Sequence, residues 1–252
     1  MPSITAVIIG NNNHEFSRFA IEKTLKAVEC QEVITFSDRI ISDDYTFIPL
    51  CNGFNRDDFS YFCLKNLWAH VRTDFVLILH YDGMAVNKEY WSDEYFDYDY
   101  IGAPWPESYT WIRPEERVGN GGFTLRSMKL LNALRDPGIF SIMGNDRTEN
   151  EDAVICQSGR QLLVEKYGIK FAPIELADQF SHECNNFTGK TLGFHGLWNM
   201  PLYCSEEETL FYVNGIPGRY WSPDRRQMFF DNCRLVDFQD APRQLVKQIY
   251  KR

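Results

Sequence analysis

The chain has 252 residues, 44% of them apolar and 24% charged, which is enough for one sizeable α/β domain with a real core. A net charge of −9 disfavours phosphate backbones and anionic membranes, so nucleic acid and lipid surfaces are poor general partners; an anionic ligand stays admissible where a metal ion bridges it. The seven cysteines are odd in number and contain no CxxC pair, which points away from a zinc site or a disulfide framework and toward reduced thiols in a cytoplasmic protein. The amino terminus lacks a basic segment and its apolar run is too short for a signal peptide, and no apolar run reaches membrane-spanning length.

In chain order, Ile4–Ile9 reads as a buried β-branched strand ending at Gly10, followed by the polar run Asn11-Asn12-Asn13. A helix is predicted from about residue 15 to residue 28, with Ile21, Leu25 and Val28 on one face. Residues 33–36 form a second strand that stops at Ser37-Asp38. A second helix starts near Asp57 or Asp58 as N-cap, with Phe59, Phe62, Cys63, Leu67 and Val71 as its apolar stripe. Phe75–Leu79 contains no polar residue, the mark of a central parallel strand covered on both faces. This β-α-β-α-β order predicts an open, doubly wound sheet, in which ligands sit beyond the carboxyl ends of the strands. Those ends carry Gly10 to Asn13, Ser37-Asp38 and His80-Tyr81-Asp82-Gly83.

The second half is less regular. Residues 98–101 read as a strand, 119–122 as a tight loop entering a strand at 123–125, and 127–134 and 151–167 as helices. Residues 170–174 suggest a further strand, 200–240 carry a weak pattern interrupted by Pro201, Pro217 and Pro223, and 242–250 a closing helix. With no repeat, low-complexity tract or linker composition, residues 1–252 read as one domain, whose first half, 1–100, is built to hold a nucleotide and whose second half is 101–252. Aromatics reach 15% and crowd between Tyr90 and Trp111; most suit packing, and one or two suit stacking on a sugar.

Four places can carry chemistry. Asp82 follows a buried strand, where a carboxylate serves a divalent cation or caps the next turn. Gly119-Asn120-Gly121-Gly122 demands either unusual backbone angles or close approach to something, or makes a plain hairpin. Glu151-Asp152 opens a helix, where acids are favourable in their own right and where one can also act as a base. His195, between Phe194 and Gly196, suits a metal ligand or a structural histidine.

The order of these four sites resembles the GT-A glycosyltransferases: a strand-end acidic metal motif, a glycine loop, an x-Glu-Asp motif and a late histidine. More narrowly, Tyr100-Ile101-Gly102-Ala103-Pro104-Trp105, the run from Val118 to Arg126 and Asn150-Glu151-Asp152 resemble a GT-A family found largely in microbial polysaccharide loci. The glycine loop followed by Glu-Asp is also loosely similar to the β-1,4-galactosyltransferases. The resemblance implies a GT-A-like (Rossmann-like) open, mostly parallel sheet flanked by helices. It implies sugar transfer from a nucleotide-diphosphate donor, a UDP-sugar on family grounds, to a saccharide or lipid-linked acceptor, with Mn²⁺ or Mg²⁺. Asp82 and His195 would hold the metal, Asp152 would be the base of an inverting reaction, and Glu151 would touch acceptor or donor. Gly121 and Gly122 would line the donor sugar, Asp38 would meet uracil or ribose, and Gly10 and Asn11 would flank the base. One departure stands out: His80 occupies the place of the first acid of the Asp-x-Asp motif, as a ligand itself or facing the ribose. It keeps open a nucleotide-sugar-binding module without catalysis. A nucleotidyltransferase is the other alternative, although Gly10-Asn11-Asn12-Asn13 lacks the basic residues of that class.

Overall fold

The computed structural model describes residues 1–143 and 149–250. Its strands are β1 (Ile4–Ile9), β2 (Glu32–Ser37), β3 (Thr46–Pro49), β4 (Phe75–Leu79), β5 (Gly83–Ala85), β6 (Tyr100–Gly102), β7 (Phe123–Ser127), β8 (Ser181–His182) and β9 (Gly193–His195). The helices of the first half are α1 (His14–Ala27), α2 (Arg56–Lys65), α3 (Met128–Ala133) and α4 (Pro137–Met143). Then follow α5 (Glu151–Ala153), α6 (Arg160–Tyr167) and α7 (Ile174–Phe180). The chain closes with α8 (Met200–Tyr203), α9 (Glu206–Gly215), α10 (Pro223–Leu235) and α11 (Asp240–Tyr250). No helix among the described residues is long and apolar enough to cross a membrane.

The main sheet has the order β3-β2-β1-β4-β7-β6. Strands β1, β2, β3 and β4 run parallel, and β7 runs against both β4 and β6. Every residue of β1 and β4 is buried, as expected for central strands covered on both faces. The chain moves outward from β1 to β3 and then returns to place β4 on the other side of β1. The crevice between the carboxyl ends of β1 and β4 is therefore the topological switch point, where such sheets take their ligands.

A second, three-stranded sheet of order β5-β9-β8 stands beyond β4. It separates two hydrophobic clusters. The larger surrounds the main sheet; the smaller joins Phe16 of α1, Met84 of β5 and Phe194 of β9 to Tyr212, Phe229 and Leu245 of the last helices.

Several local expectations change. Helix α2 begins two residues early because the Asn55 side chain accepts the amides of Asp57 and Asp58 while Asp58 accepts the Asn55 amide, a complete capping box. It also ends early: Leu67 belongs to a separate 3₁₀ turn, though Leu67 and Val71 stay in the core. Strand β3 has no counterpart among the predicted elements, because a short edge strand with exposed ends leaves no clear apolar pattern. The predicted strand at 170–174 is a single bridge from Tyr100 to Phe171, cut short because Pro173 opens α7. The predicted helix at 151–167 is α5, a π turn over Val154–Ser158, and α6, with the Gly159 amide donating to the Val154 carbonyl at 2.7 Å. The weakly patterned 200–240 region is helical: Pro201 and Pro223 occupy first turns, where no amide is needed, and Ser205 with Glu208 forms a second capping box.

Asn55→Ala removes the acceptor for two amides at the start of α2 and should cost about 1 kcal/mol of unfolding free energy, read as a lower urea midpoint at unchanged slope.

Candidate active site

Strand β4 ends in a two-residue turn. The amide of Gly83 donates to the carbonyl of His80 at 3.0 Å, so Tyr81 and Asp82 form the tip. The tip is held from outside: the Tyr212 hydroxyl of α9 donates to the Tyr81 carbonyl at 2.7 Å, and the Gly196 amide donates to the Asp82 carbonyl at 2.8 Å. Beyond the turn, β5 pairs with β9 so that Gly83 lies opposite His195. A strand-end histidine, a turn aspartate and a histidine more than a hundred residues later are thereby brought together. His80, Asp82 and His195 offer ligand atoms that all lie within 4.8 Å of one another, with His195 Nε2 3.6 Å from Asp82 Oδ1.

The donor set fits a divalent transition ion. His80 Nε2 is buried and has no hydrogen-bond partner, which is costly for a polar atom unless something else takes its lone pair. His195 Nδ1 is occupied by the Glu183 carboxylate at 3.0 Å, leaving Nε2 turned to the cluster. Burial and the nearby His195 push the His80 pKa down to about 4, so its ring is neutral and able to ligate. On His195, burial opposes protonation, but the Asp82 and Glu183 carboxylates outweigh it and carry the pKa up to about 9. In the metal-free protein that ring is a cation, and a bound ion would take the proton's place.

The glycine loop explains itself by space. Gly119, Gly121 and Gly122 do not need left-handed angles; the residue that does is Asn120, with φ of 26°. A Cβ on Gly122 would collide with the His195 ring, and one on Gly121 would strike the Glu151 carboxylate. The loop therefore passes between the two groups of interest. On its far side Asp152 accepts the Gly121 amide at 2.9 Å and the Ala153 amide at 2.8 Å. Burial, then the neighbouring Glu151 charge, raises the Asp152 pKa to about 6.

Glu151 takes a different position from Asp152. It accepts from the guanidinium of Arg126 on β7 at 2.8 Å, a pair with side-chain exposures of 5% and 0%. The carboxylate thus faces inward beneath Gly121. Arg126 also donates to Thr124 Oγ1 at 3.1 Å, and its guanidinium lies 5.2 Å from the centre of the Tyr100 ring.

Gly10, Asn11 and His80 line one cavity of about 240 Å³ at the ends of β1 and β4, together with Arg56, Phe59 and Tyr220. Asp38 is not among its lining residues; it pairs with His14 at 2.7 Å, whose other nitrogen accepts from Arg39 at 3.0 Å. A larger cavity of about 880 Å³, lined by residues such as Ser3, Lys26 and Trp91, lies at the amino ends of the strands and contains none of the site residues. Of the central aromatics, Tyr95, Tyr100 and Trp105 are buried, whereas Tyr109 and Trp111 are 40% and 56% exposed and stack at 5.9 Å.

Sequence reasoning missed Arg126, Glu183 and Tyr212. Arg126 carried a usable signal, a charge directly after the predicted strand at 123–125; β7 in fact runs on to Ser127 with Arg126 buried in it. Glu183 and Tyr212 carried none until the strands and helices were placed.

With the sheet order and this strand-end site in view, the chain has a GT-A-like fold, a mixed, mostly parallel sheet flanked by helices. Residues 51–195 match the family described as "Protein of unknown function (DUF5672)", and the chain belongs to that family. No curated protein matches the sequence. Among solved structures, the chain is similar to apo mouse xyloside xylosyltransferase 1, with a TM-score of 0.50 at 10% identity, covering 78% of this chain and 98% of that one. It also matches galactosyltransferase LgtC in complex with donor and acceptor sugar analogues, with a TM-score of 0.48 at 13% identity over 76% of this chain and 86% of that one.

Replacing Arg126 by Met strands the Glu151 carboxylate in the interior. The expected loss is roughly 3–5 kcal/mol of unfolding free energy, measured by denaturant titration.

Proposed function

We propose that this chain is a metal-dependent glycosyltransferase that moves a sugar from a nucleotide-diphosphate donor, a UDP-sugar, to a hydroxyl of a glycan or lipid-linked acceptor with inversion. The observation that carries the reading is the convergence of His80, Asp82 and His195 at the end of β4, one glycine away from the Gly121–Asp152 contact. Residues 1–252 act as one unit in this reading, since Asp82 from the first half and His195 from the second share the ion.

His80, Asp82 and His195 hold the divalent cation. A cation there supplies Lewis-acid neutralisation of the charge that develops on the departing diphosphate. Two imidazoles and one carboxylate suit Mn²⁺ better than Mg²⁺, which prefers oxygen ligands and keeps its waters. Arg225 adds positive charge nearby: its exposed guanidinium lies 5.0 Å from the centre of the Trp198 ring, and Trp198 packs on Gly196 beside His195. Gly10, Asn11 and the rings around the 240 Å³ cavity receive the nucleoside. Tyr109 and Trp111 offer flat apolar faces to the acceptor sugar.

Asp152 takes the proton of the acceptor hydroxyl as its oxygen bonds to the anomeric carbon. The bond from that carbon to the phosphate oxygen breaks, and the nucleoside diphosphate leaves with its electron pair. A carboxylate whose pKa stands at about 6 is ionised at neutral pH yet more basic than an ordinary aspartate, as a general base requires. Glu151, held by Arg126, supports the Gly121 backbone from beneath.

A thermal-shift screen of nucleoside diphosphates and nucleotide sugars, with and without Mn²⁺, tests the reading: stabilisation by UDP-sugars only when Mn²⁺ is present is the expected result. Asp82→Ala should abolish the Mn²⁺-dependent part of donor binding in calorimetry. Unchanged binding would reduce Asp82 to a turn residue.

Asp152→Asn should bind donor normally and lose transfer by roughly 100-fold or more. The sign of the pH effect follows from the raised pKa. The base works only when ionised, so kcat/KM should fall about tenfold per pH unit as pH drops below about 6 and be flat above it.

A further inference from the structure

We infer that Glu183 is a positioning residue that fixes which nitrogen of His195 faces the metal, an assignment that rests on the metal reading above. The placement comes from strand register. Strand β8 runs parallel to β9 with Ser181 beside Gly193 and His182 beside Phe194, so the next residue, Glu183, falls alongside His195. Its Oε1 lies 3.0 Å from His195 Nδ1.

A carboxylate only accepts, so in the neutral ring Nδ1 carries the proton and Nε2 keeps the lone pair. Nε2 is the atom turned to Asp82, 3.6 Å away. Glu183 therefore selects the ligating tautomer and holds the ring plane, and its negative charge raises the basicity of the ligand nitrogen.

The glutamate is itself held. Its amide donates to Asn185 Oδ1 at 3.0 Å, and its carbonyl accepts from Asn199 Nδ2 at 2.7 Å and from Trp198 Nε1 at 3.4 Å. The same Asn199 amide donates to the His195 carbonyl at 2.8 Å, tying the two backbones together. The Glu183 side chain is 11% exposed, and among the described residues its ion-pair partner is His195. A carboxylate this buried, carried on a backbone held at both its amide and its carbonyl and paired to a single imidazole, has the arrangement expected of a group serving that imidazole.

The experiment is calorimetric titration of Mn²⁺ into the metal-free full chain, wild type against Glu183→Gln, which keeps the size and removes the charge. The expected result is Mn²⁺ affinity weakened by about 10–100-fold in the variant, in addition to the fall in Tm that losing the Glu183 charge beside the protonated His195 ring brings to the metal-free protein. Equal Mn²⁺ affinity, or a lowered Tm with unchanged affinity, overturns the assignment and leaves the metal site standing. No Mn²⁺ binding by the wild type overturns the metal site and the assignment together. A second measurement needs no variant of Glu183: ¹⁵N-histidine NMR of the wild type in alkaline solution, where the ring is neutral, with His195 assigned by comparison with His195→Gln. A resonance pattern of the Nδ1–H tautomer is expected, and the Nε2–H tautomer overturns the assignment even if Glu183→Gln fails to fold.

Discussion

Strand β9 holds this site together. It is three residues long, yet it is flanked by β5 on one side and β8 on the other. The antiparallel pairing sets Gly83, and with it the Asp82 turn, opposite His195; the parallel pairing sets Glu183 on the other side. One imidazole is thus approached by a carboxylate at each nitrogen. Burying two carboxylates so close together is unfavourable unless a cation lies between them, and a protonated His195 or a bound ion meets that need. Loss of β9 pairing would separate all these groups at once.

The glycine loop shows the same economy. Three glycines in four residues usually raise the question of backbone angle. Here the requirement is clearance: Gly119 makes room for Trp105, Gly121 for Glu151 and Gly122 for His195. Tyr100 secures the loop from below, its hydroxyl donating to the Gly119 carbonyl at 2.6 Å. The loop is a thin partition with a pK-raised aspartate on one side and a metal-competent cluster on the other. The buried Arg126–Glu151 pair stiffens its floor, since neither charge can be exposed or left alone without a large cost.

The last helices form a second support rather than an appendage. Tyr212 of α9 grips the β4 turn through the Tyr81 carbonyl, and Trp198 covers Gly196 and anchors the Glu183 backbone. The smaller hydrophobic cluster, running from Phe16 to Leu245, fixes these contacts to α1 and β5. The turn after β4 and the His195 region are therefore braced from the carboxyl-terminal side by packing that the strands themselves do not provide.

By itself, the sequence determined the central strands, the helix that follows the first of them, and the strand-end positions of Gly10, His80 and Asp82. Apolar, β-branched runs are local signals that survive without knowledge of the rest of the chain; the 3.6-residue periodicity likewise placed α1, although Leu25 of its predicted apolar face is exposed. It also marked Gly121, Gly122, Asp152 and His195 as unusual. Only the tertiary structure decided why the glycines are there, that Glu151 faces Arg126, that Asp38 pairs with His14, and that Glu183 meets His195. The physical reason is sequence separation. A hydrogen bond across twelve residues, or a cluster spanning residues 80 to 195, depends on strand register and sheet order, and side-chain chemistry alone does not encode which partners the register will bring within reach.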